Sequence, residues 1–376
     1  MEFDETQEML RESVRRFLAE RASITGYVRP RLDGDGRTDD VWRGLAELGV
    51  CGLLAPESAG GGGLGMVETG IVCEEIGRAL YPGPFASSAL GAVAAILASG
   101  AEERERALLG ELASGRRVGA VALHETRSRY DWRAVETRAR ARNGGGWRLT
   151  GVKSPVPDAA VADALVVSAD ADGVLGLFVV EKENAGIEPL GGLDPTRRLA
   201  RVTLEDAPAR RLGEGKGERD ASRAIAATLD RIVVGLVADG LGAAARAFEL
   251  AAAYAHERRQ FGKPIGSFQA VQHVLVDMLQ DLELARAATY HALWAADAAD
   301  DAERHHAAAV AKAFASEAFP RIGANAIQVF AGIGYTWEHD VHLYYKRLLT
   351  VQHLCGDEAA HLDELARLVV DRAPPA

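Results

Sequence analysis

Arg258-Arg259-Gln260-Phe261-Gly262-Lys263-Pro264-Ile265 puts guanidinium groups, a glycine and a further cation at the end of a long alanine-rich stretch. An arginine fork pairs with phosphate oxygens by two-point contact, so the chemistry on offer is the binding of a phosphorylated ligand. The same run also suits a helix C-terminus, where cations meet the negative end of the dipole and glycine ends the helix. Other reactive residue types promise less. Cys355 has no readable histidine–acid arrangement around it, so a small apolar filler is expected. His305 and His306 are adjacent and point to different helix faces, which disfavours a shared metal, and His353 and His361 read as packed or solvated side chains. Gly60, Gly62 and Gly65 satisfy G-x-G-x-x-G, but no strand precedes them and no acid follows at about twenty residues. A flexible loop between helices is expected there.

Composition narrows the classes. A chain of 376 residues with 48% hydrophobic content can bury a large core, and its length suggests two or three domains. The net charge of −11 argues against general nucleic-acid binding, although a local basic patch for phosphates stays compatible. Its 3 cysteines, Cys51, Cys73 and Cys355, are far apart, so neither a disulfide framework nor a zinc site is expected. Met1-Glu2-Phe3-Asp4-Glu5 lacks the basic start of a signal peptide. The most apolar stretch, Ile232 to Ala255, carries Asp239, Arg246 and Glu249, so a buried helix is expected instead of a membrane span. The reading is cytoplasmic.

The elements that must position these residues change character along the chain. Phe3, Met9, Leu10, Val14, Phe17 and Leu18 form one helical stripe, and Met66 to Ala79 reads as another helix. A third helical pattern ends near Gly115. Short β-prone runs follow at 118–123, 147–150, 164–168 and 175–180, separated by turn residues and with no helix between them. Helical patterns return at 221–257, 267–296, 302–330 and 358–371. The expected fold class is α+β: an N-terminal helical domain over 1–116, an antiparallel β-barrel or sandwich domain over 117–216, and a four-helix-type bundle over 217–376. Gly213 to Gly217 reads as the link into the bundle.

The chain resembles the acyl-CoA dehydrogenase family over nearly its whole length and in the family's order of domains. The resemblance is carried by Arg258, Phe261 and Gly262 (the family's R-x-x-F-G), by Phe268-Gln269 with Gln272, and by Gln328-Val329-Phe330-Ala331-Gly332 (its Q-x-x-G-G). It implies FAD as cofactor, with Arg258 reaching the pyrophosphate in a neighbouring subunit and Gln328, Ala331 and Gly332 along the ADP half. Alanine at 331 replaces the first glycine of that pair. Phe261, Gln269 and Asp357 join the implied cofactor-binding set. An acyl-CoA thioester is the implied substrate and an electron-transfer flavoprotein the implied electron acceptor.

Two segments depart from the family pattern. Family members present a Thr or Ser near the flavin ring after the first β-run, then a Trp-x-Thr over the ring. This chain reads Leu123-His124-Glu125-Thr126, then Lys153-Ser154-Pro155-Val156-Pro157-Asp158, with Pro155 and Pro157 at the Trp and Thr positions. The usual base lies in a Tyr-Glu-Gly-Thr run, and Leu354-Cys355-Gly356-Asp357 occupies that stretch. A minority of relatives place a glutamate before an arginine on the first bundle helix, which makes Asp230 the candidate base here and Arg231 its companion; Asp357 and Glu358 are nearby substitutes. Three readings stay open: an acyl-CoA dehydrogenase acting on its own, a half-site subunit of a heteromeric dehydrogenase completing a partner's flavin site, and a structural or binding paralogue with neither flavin nor turnover. Resemblance to sterol side-chain-degrading relatives in Lys153 to Asp163 and at Gly356-Asp357 suggests bulky ring-bearing esters. The expected assembly is a homotetramer or an α2β2 heterotetramer.

Overall fold

The computed structural model describes residues 3–34, 38–100, 103–128, 130–142, 145–213 and 220–372. Two compact units result: Met1–Arg29, Gly70–Tyr81 and Val233–Ala376 form one, Pro30–Thr69 and Pro82–Ile232 the other. Helices α3 (Met66–Ala79) and α6 (Ser222–Glu257) run through both. Most of the expected linker, residues 214–217, lies outside the described residues.

The first unit is helical. Its α1 (Glu5–Arg21) starts at a capping box, with the Asp4 carboxylate accepting from Gln7 N–H at 2.8 Å and the Gln7 amide oxygen accepting from Asp4 N–H. The bundle comprises the Val233 end of α6 with α7 (Gln269–Ala298), α8 (Asp301–Phe330), α9 (Val341–His353) and α10 (Glu358–Arg372). Asp300 caps α8 by accepting from Ala302 and Glu303 N–H. Alanine, the best helix former, fills α6 and α8 and lets helices approach closely. At Gly77 and Gly242 the crossing of α3 with α6 is tightest: a Cβ on either would lie 1.8 Å from a carbonyl oxygen, that of Asp239 or of Glu74. The expected helices at 221–257, 267–296, 302–330 and 358–371 are present, and α9 is additional.

The second unit packs α2 (Asp39–Glu47), α4 (Val93–Ala98) and α5 (Glu103–Ala113) against seven strands: β1 (Gly119–Ala122), β2 (Arg138–Ala141), β3 (Trp147–Pro157), β4 (Ala164–Ala171), β5 (Val174–Glu181), β6 (Gly186–Leu190) and β7 (Leu199–Arg211). Pairings β4–β5, β5–β7, β7–β3, β3–β2 and β2–β4 close a ring. Within it only the single-residue contact of β2 with β4 is parallel; β1 adds a parallel strand outside and β6 an antiparallel one.

Strands β1, β4 and β5 read as continuous apolar runs because both faces are covered. Leu165, Val167, Phe178 and Val180 enter the barrel core. Their neighbours Val166, Leu177 and Val179 enter a second core with Ile96, Leu109 and Leu112 of the helices. Strand β7 was hidden in the sequence by Asp206, Pro208 and three arginines, although Ala200, Val202 and Leu204 alternate inward as a period of two requires, with Ala207 returning to the core after a register shift. The glycine loop before α3 is not loose. Gly61, Gly62, Gly63 and Leu64 donate to the carbonyls of Pro56, Gly52, Ala55 and Leu53 at 2.8 to 3.1 Å. A Cβ on Gly61 would meet the Ala55 oxygen at 2.1 Å, so glycine serves close backbone approach there.

Candidate active site

At the exit of β1 the barrel unit buries a polar cluster. Lys153 is fully buried on β3, and its Nζ donates to Glu125 Oε1 at 2.7 Å and to Ser168 Oγ at 3.0 Å. Glu125 also accepts from Thr137 Oγ1 at 2.7 Å and from the N–H groups of Glu136 and Thr137 at 2.8 and 3.0 Å. Burial pulls the Lys153 ammonium down to about 8 against the pull of Glu125. Burial would raise the Glu125 carboxyl, but Lys153 and Thr137 hold it below its usual value. This cluster is satisfied. Its neighbour His124 is different: both ring nitrogens are out of solvent, and neither has a hydrogen-bond partner among the described residues. Burial first, then Lys153, lowers His124 to about 4, which leaves a neutral imidazole. The backbone of His124 is engaged, its carbonyl accepting from Ser154 N–H at 3.0 Å.

In the same unit Asp230 lies in the third turn of α6 and is 4% exposed. That interior position removes helix capping as its role. Arg231 follows, half-buried, donating from Nη1 to the Ala227 carbonyl at 3.1 Å.

The bundle unit gathers most of the cofactor-side candidates at one end. Helix α6 stops at Glu257, and a hairpin follows, β8 (Arg259–Gln260) pairing with β9 (Lys263–Pro264). Phe261 and Gly262 form its two-residue turn, both with positive φ, 52° and 79°, as a type I′ turn requires. Glycine does this freely, whereas phenylalanine is held there at the tip with 91% of its surface exposed. The hairpin is tied back by Ile265 N–H donating to the Arg258 carbonyl at 2.8 Å and by an edge-on contact of Phe261 with Phe268 at 6.1 Å. Gln269 begins α7 beside Phe268 and is exposed.

Tyr254, one turn before Arg258, stacks on Phe330 at 4.4 Å, which brings the end of α8 to the same place. Gln328 is exposed in the last turn of α8, followed by Ala331 at φ 54° and ψ −137°. That conformation belongs to glycine, so Ala331 is strained where the family motif has Gly. Gly332 has nothing within 4 Å of where a Cβ would lie. No contact among the described residues calls for glycine there.

Asp357 is elsewhere. It is the N-cap of α10, its carboxylate accepting from Ala360 N–H at 3.0 Å. Its loop is held by fully buried Lys312 of α8, whose Nζ donates to the carbonyls of Gly356 and Gln352 at 2.6 and 2.9 Å and to Ser316 Oγ at 2.9 Å. His361 Nε2 lies 3.0 Å from the Cys355 carbonyl. Lys312 precedes Gln328 by sixteen residues, about 24 Å along the helix axis. Within this unit the structure therefore brings Arg258, Phe261, Gln269, Gln328, Ala331 and Gly332 together and leaves Asp357 apart. Asp230 and Arg231 belong to the other unit.

Comparison with known proteins decides the family. The acyl-CoA dehydrogenase N-terminal domain model matches residues 4–116, and the C-terminal domain model matches 204–370. This chain belongs to the acyl-CoA dehydrogenase family. It is 32% identical to acyl-CoA dehydrogenase IpdE2 of Mycobacterium tuberculosis over 91% of each chain. Among solved structures it is similar to a variant of the Tcur3481–Tcur3483 steroid acyl-CoA dehydrogenase (TM-score 0.87, 31% identity, 98% of each chain). It is also similar to the ChsE4–ChsE5 complex of Mycobacterium tuberculosis (TM-score 0.89, 26% identity, 100% of this chain and 99% of that one). As an acyl-CoA dehydrogenase it is an oxidoreductase acting on the CH–CH group of acyl-CoA, its cofactor is FAD, and its family forms oligomers.

The residues present fit that cofactor. The exposed fork of Arg258 and the open backbone at Gly332 suit a dinucleotide, and the unspent donor and acceptor of His124 suit a polar ring. Reasoning from motifs missed the Glu125–Lys153–Ser168 cluster and the Lys312 clamp. The available signal was a lysine inside an apolar strand, Gly151-Val152-Lys153-Ser154, and another inside the alanine run of α8, since a buried lysine demands partners. No helix among the described residues is long and apolar enough to cross a membrane.

Proposed function

We propose that this chain catalyses α,β-dehydrogenation of an acyl-CoA thioester with Asp230 as the base. The observation that carries the proposal is the burial of Asp230 inside α6, on the helix where a minority of relatives hold their glutamate. A carboxylate can take the proton from the α C–H that the thioester acidifies. FAD supplies the acceptor for the β-hydride when bound. Arg231 follows Asp230 as its companion. Arg258, Phe261, Gln269, Gln328, Ala331 and Gly332 would hold the dinucleotide, and Asp357 would shape the loop that replaces the usual base. The three-part division at 116 and 216 is the domain organisation that accompanies this reading.

A second reading draws on the ring-facing strand. Pro155 and Pro157 offer neither an indole nor a hydroxyl, while Phe261 stands 91% exposed on its hairpin. A chain that presents its dinucleotide motif outward and lacks ring-covering side chains suits a half-site subunit in an α2β2 assembly; a homotetramer suits the first reading. The likeness to the ChsE4–ChsE5 complex and to the steroid acyl-CoA dehydrogenase supports a heteromer and a bulky, ring-bearing acyl group. Electrons would pass to an electron-transfer flavoprotein, in the cytoplasm.

Asp230→Asn tests the base. Turnover should fall by at least a hundredfold at unchanged FAD content; unchanged turnover would remove Asp230 from the mechanism. Flavin quantified per subunit decides between full-site and half-site readings.

A further inference from the structure

We propose that His124 is a flavin-facing residue, its imidazole hydrogen-bonding the isoalloxazine ring of bound FAD. The inference rests on the FAD-dependent reading above and deepens it. Buried polar atoms in folded proteins have partners almost without exception, and an orphan asks for an explanation. His124 supplies two orphans on one ring. Its neighbours Glu125 and Lys153 are committed: Glu125 to Lys153 and Thr137, Lys153 to Glu125 and Ser168. None of them spends a hydrogen bond on the imidazole.

The state of the ring supports the assignment. Burial and the neighbouring Lys153 ammonium keep it neutral, with its pKa lowered to about 4. A neutral imidazole offers one N–H and one bare nitrogen. It therefore matches a neutral heterocycle carrying both carbonyl acceptors and an N–H donor, and it brings no charge to the site. The isoalloxazine is such a ring. His124 stands just after β1, where the family resemblance places a Thr or Ser hydroxyl beside the flavin. Ser154, which donates its N–H to the His124 carbonyl, is followed by Pro155, and neither Pro155 nor Pro157 has an N–H to give. The imidazole would supply a donor that this segment lacks.

The test separates a ligand-facing histidine from a packing one. An apolar residue that replaces an unpartnered polar group leaves the free protein no less stable, whereas one that removes a satisfied group costs stability. FAD is titrated into flavin-stripped wild type, H124L and H124Q, and the thermal midpoint of each stripped protein is measured. The expected result is FAD binding weakened roughly tenfold in H124L, partly restored in H124Q, with the midpoint of stripped H124L equal to or above wild type. Equal FAD affinity in H124L overturns the inference and leaves the flavoprotein reading standing. Lower affinity accompanied by a lower midpoint of the stripped protein also overturns it, because His124 is then structural. Failure of wild type to take up FAD overturns the full-site reading, and the inference with it. If H124L does not fold, ring 15N resonances of His124, assigned through H124Q, must shift on FAD addition; unmoved resonances overturn the proposal.

Discussion

At the exit of β1, Glu125, Lys153, Ser168 and Thr137 use one another's hydrogen bonds out of solvent, whereas at the ends of α6 and α8 Arg258, Phe261, Gln269 and Gln328 are exposed. The first group is held by its partners, so removing one member alone costs more than removing one from a surface pair. The second is held by backbone geometry: a type I′ turn, a helix terminus and a strained alanine. Side chains at that end owe little to the fold and stay available to a ligand or a neighbouring subunit.

The sharpest way to break this contrast is Glu125→Ala, which leaves a buried ammonium without its carboxylate. A loss of about 3–5 kcal/mol is expected in urea unfolding, with E125L/K153M closer to wild type because both charges leave together. A loss under 1 kcal/mol would mean that water reaches the pair.

Acid offers the next largest effect. Burial lowers both His124 and His361 to about 4. Between pH 6.5 and 4 the unfolded chain takes up protons that the folded chain refuses, so stability is full above about 6.5 and falls towards 4. The loss is on the order of 2–3 kcal/mol per histidine at the lower end. Replacing either histidine with glutamine should flatten that slope; an unchanged slope would assign the acid sensitivity to other groups.

Lys312→Met removes the donor shared by Gly356 and Gln352 and should cost about 1–3 kcal/mol. Amide exchange in 353–357 should quicken, since this clamp holds the loop. In the opposite direction, Ala331→Gly relieves a glycine-type backbone and should stabilise the chain by about 1 kcal/mol. A destabilised A331G would show that the alanine methyl packs usefully. Phe261→Ala should stay within about 0.5 kcal/mol of wild type in unfolding, because the ring is exposed. Its effect should appear in sedimentation and FAD retention, and an unchanged assembly and flavin content would make the exposed tip irrelevant to both.

The exposed group was readable in advance, and the buried one was not. Arg258, Phe261 and Gly262 lie within five residues, and a hairpin turn is a local event that glycine and its neighbour decide. The bundle helices were readable for the same reason, since alanine runs with one apolar stripe have few alternatives. Strands β2 and β7 escaped because arginines, an aspartate and a proline mask their inward alternation. Asp357 reads from the motif as one of the cofactor-binding positions, yet its carboxylate caps α10, a use that depends on where α9 ends.

The amino-acid sequence by itself determined the family, the order of helices and strands, the phosphate-suited hairpin and the loss of the usual base at Cys355. All of these are properties of residues close together in the chain. Only the tertiary structure decided that Lys153 meets Glu125 across 28 residues and that Lys312 meets Gly356 across 44. It also decided that Asp230 is buried and that His124 is left without a partner. The physical reason is that hydrogen-bond satisfaction depends on which groups arrive beside a side chain after folding, and no spacing along a chain records it.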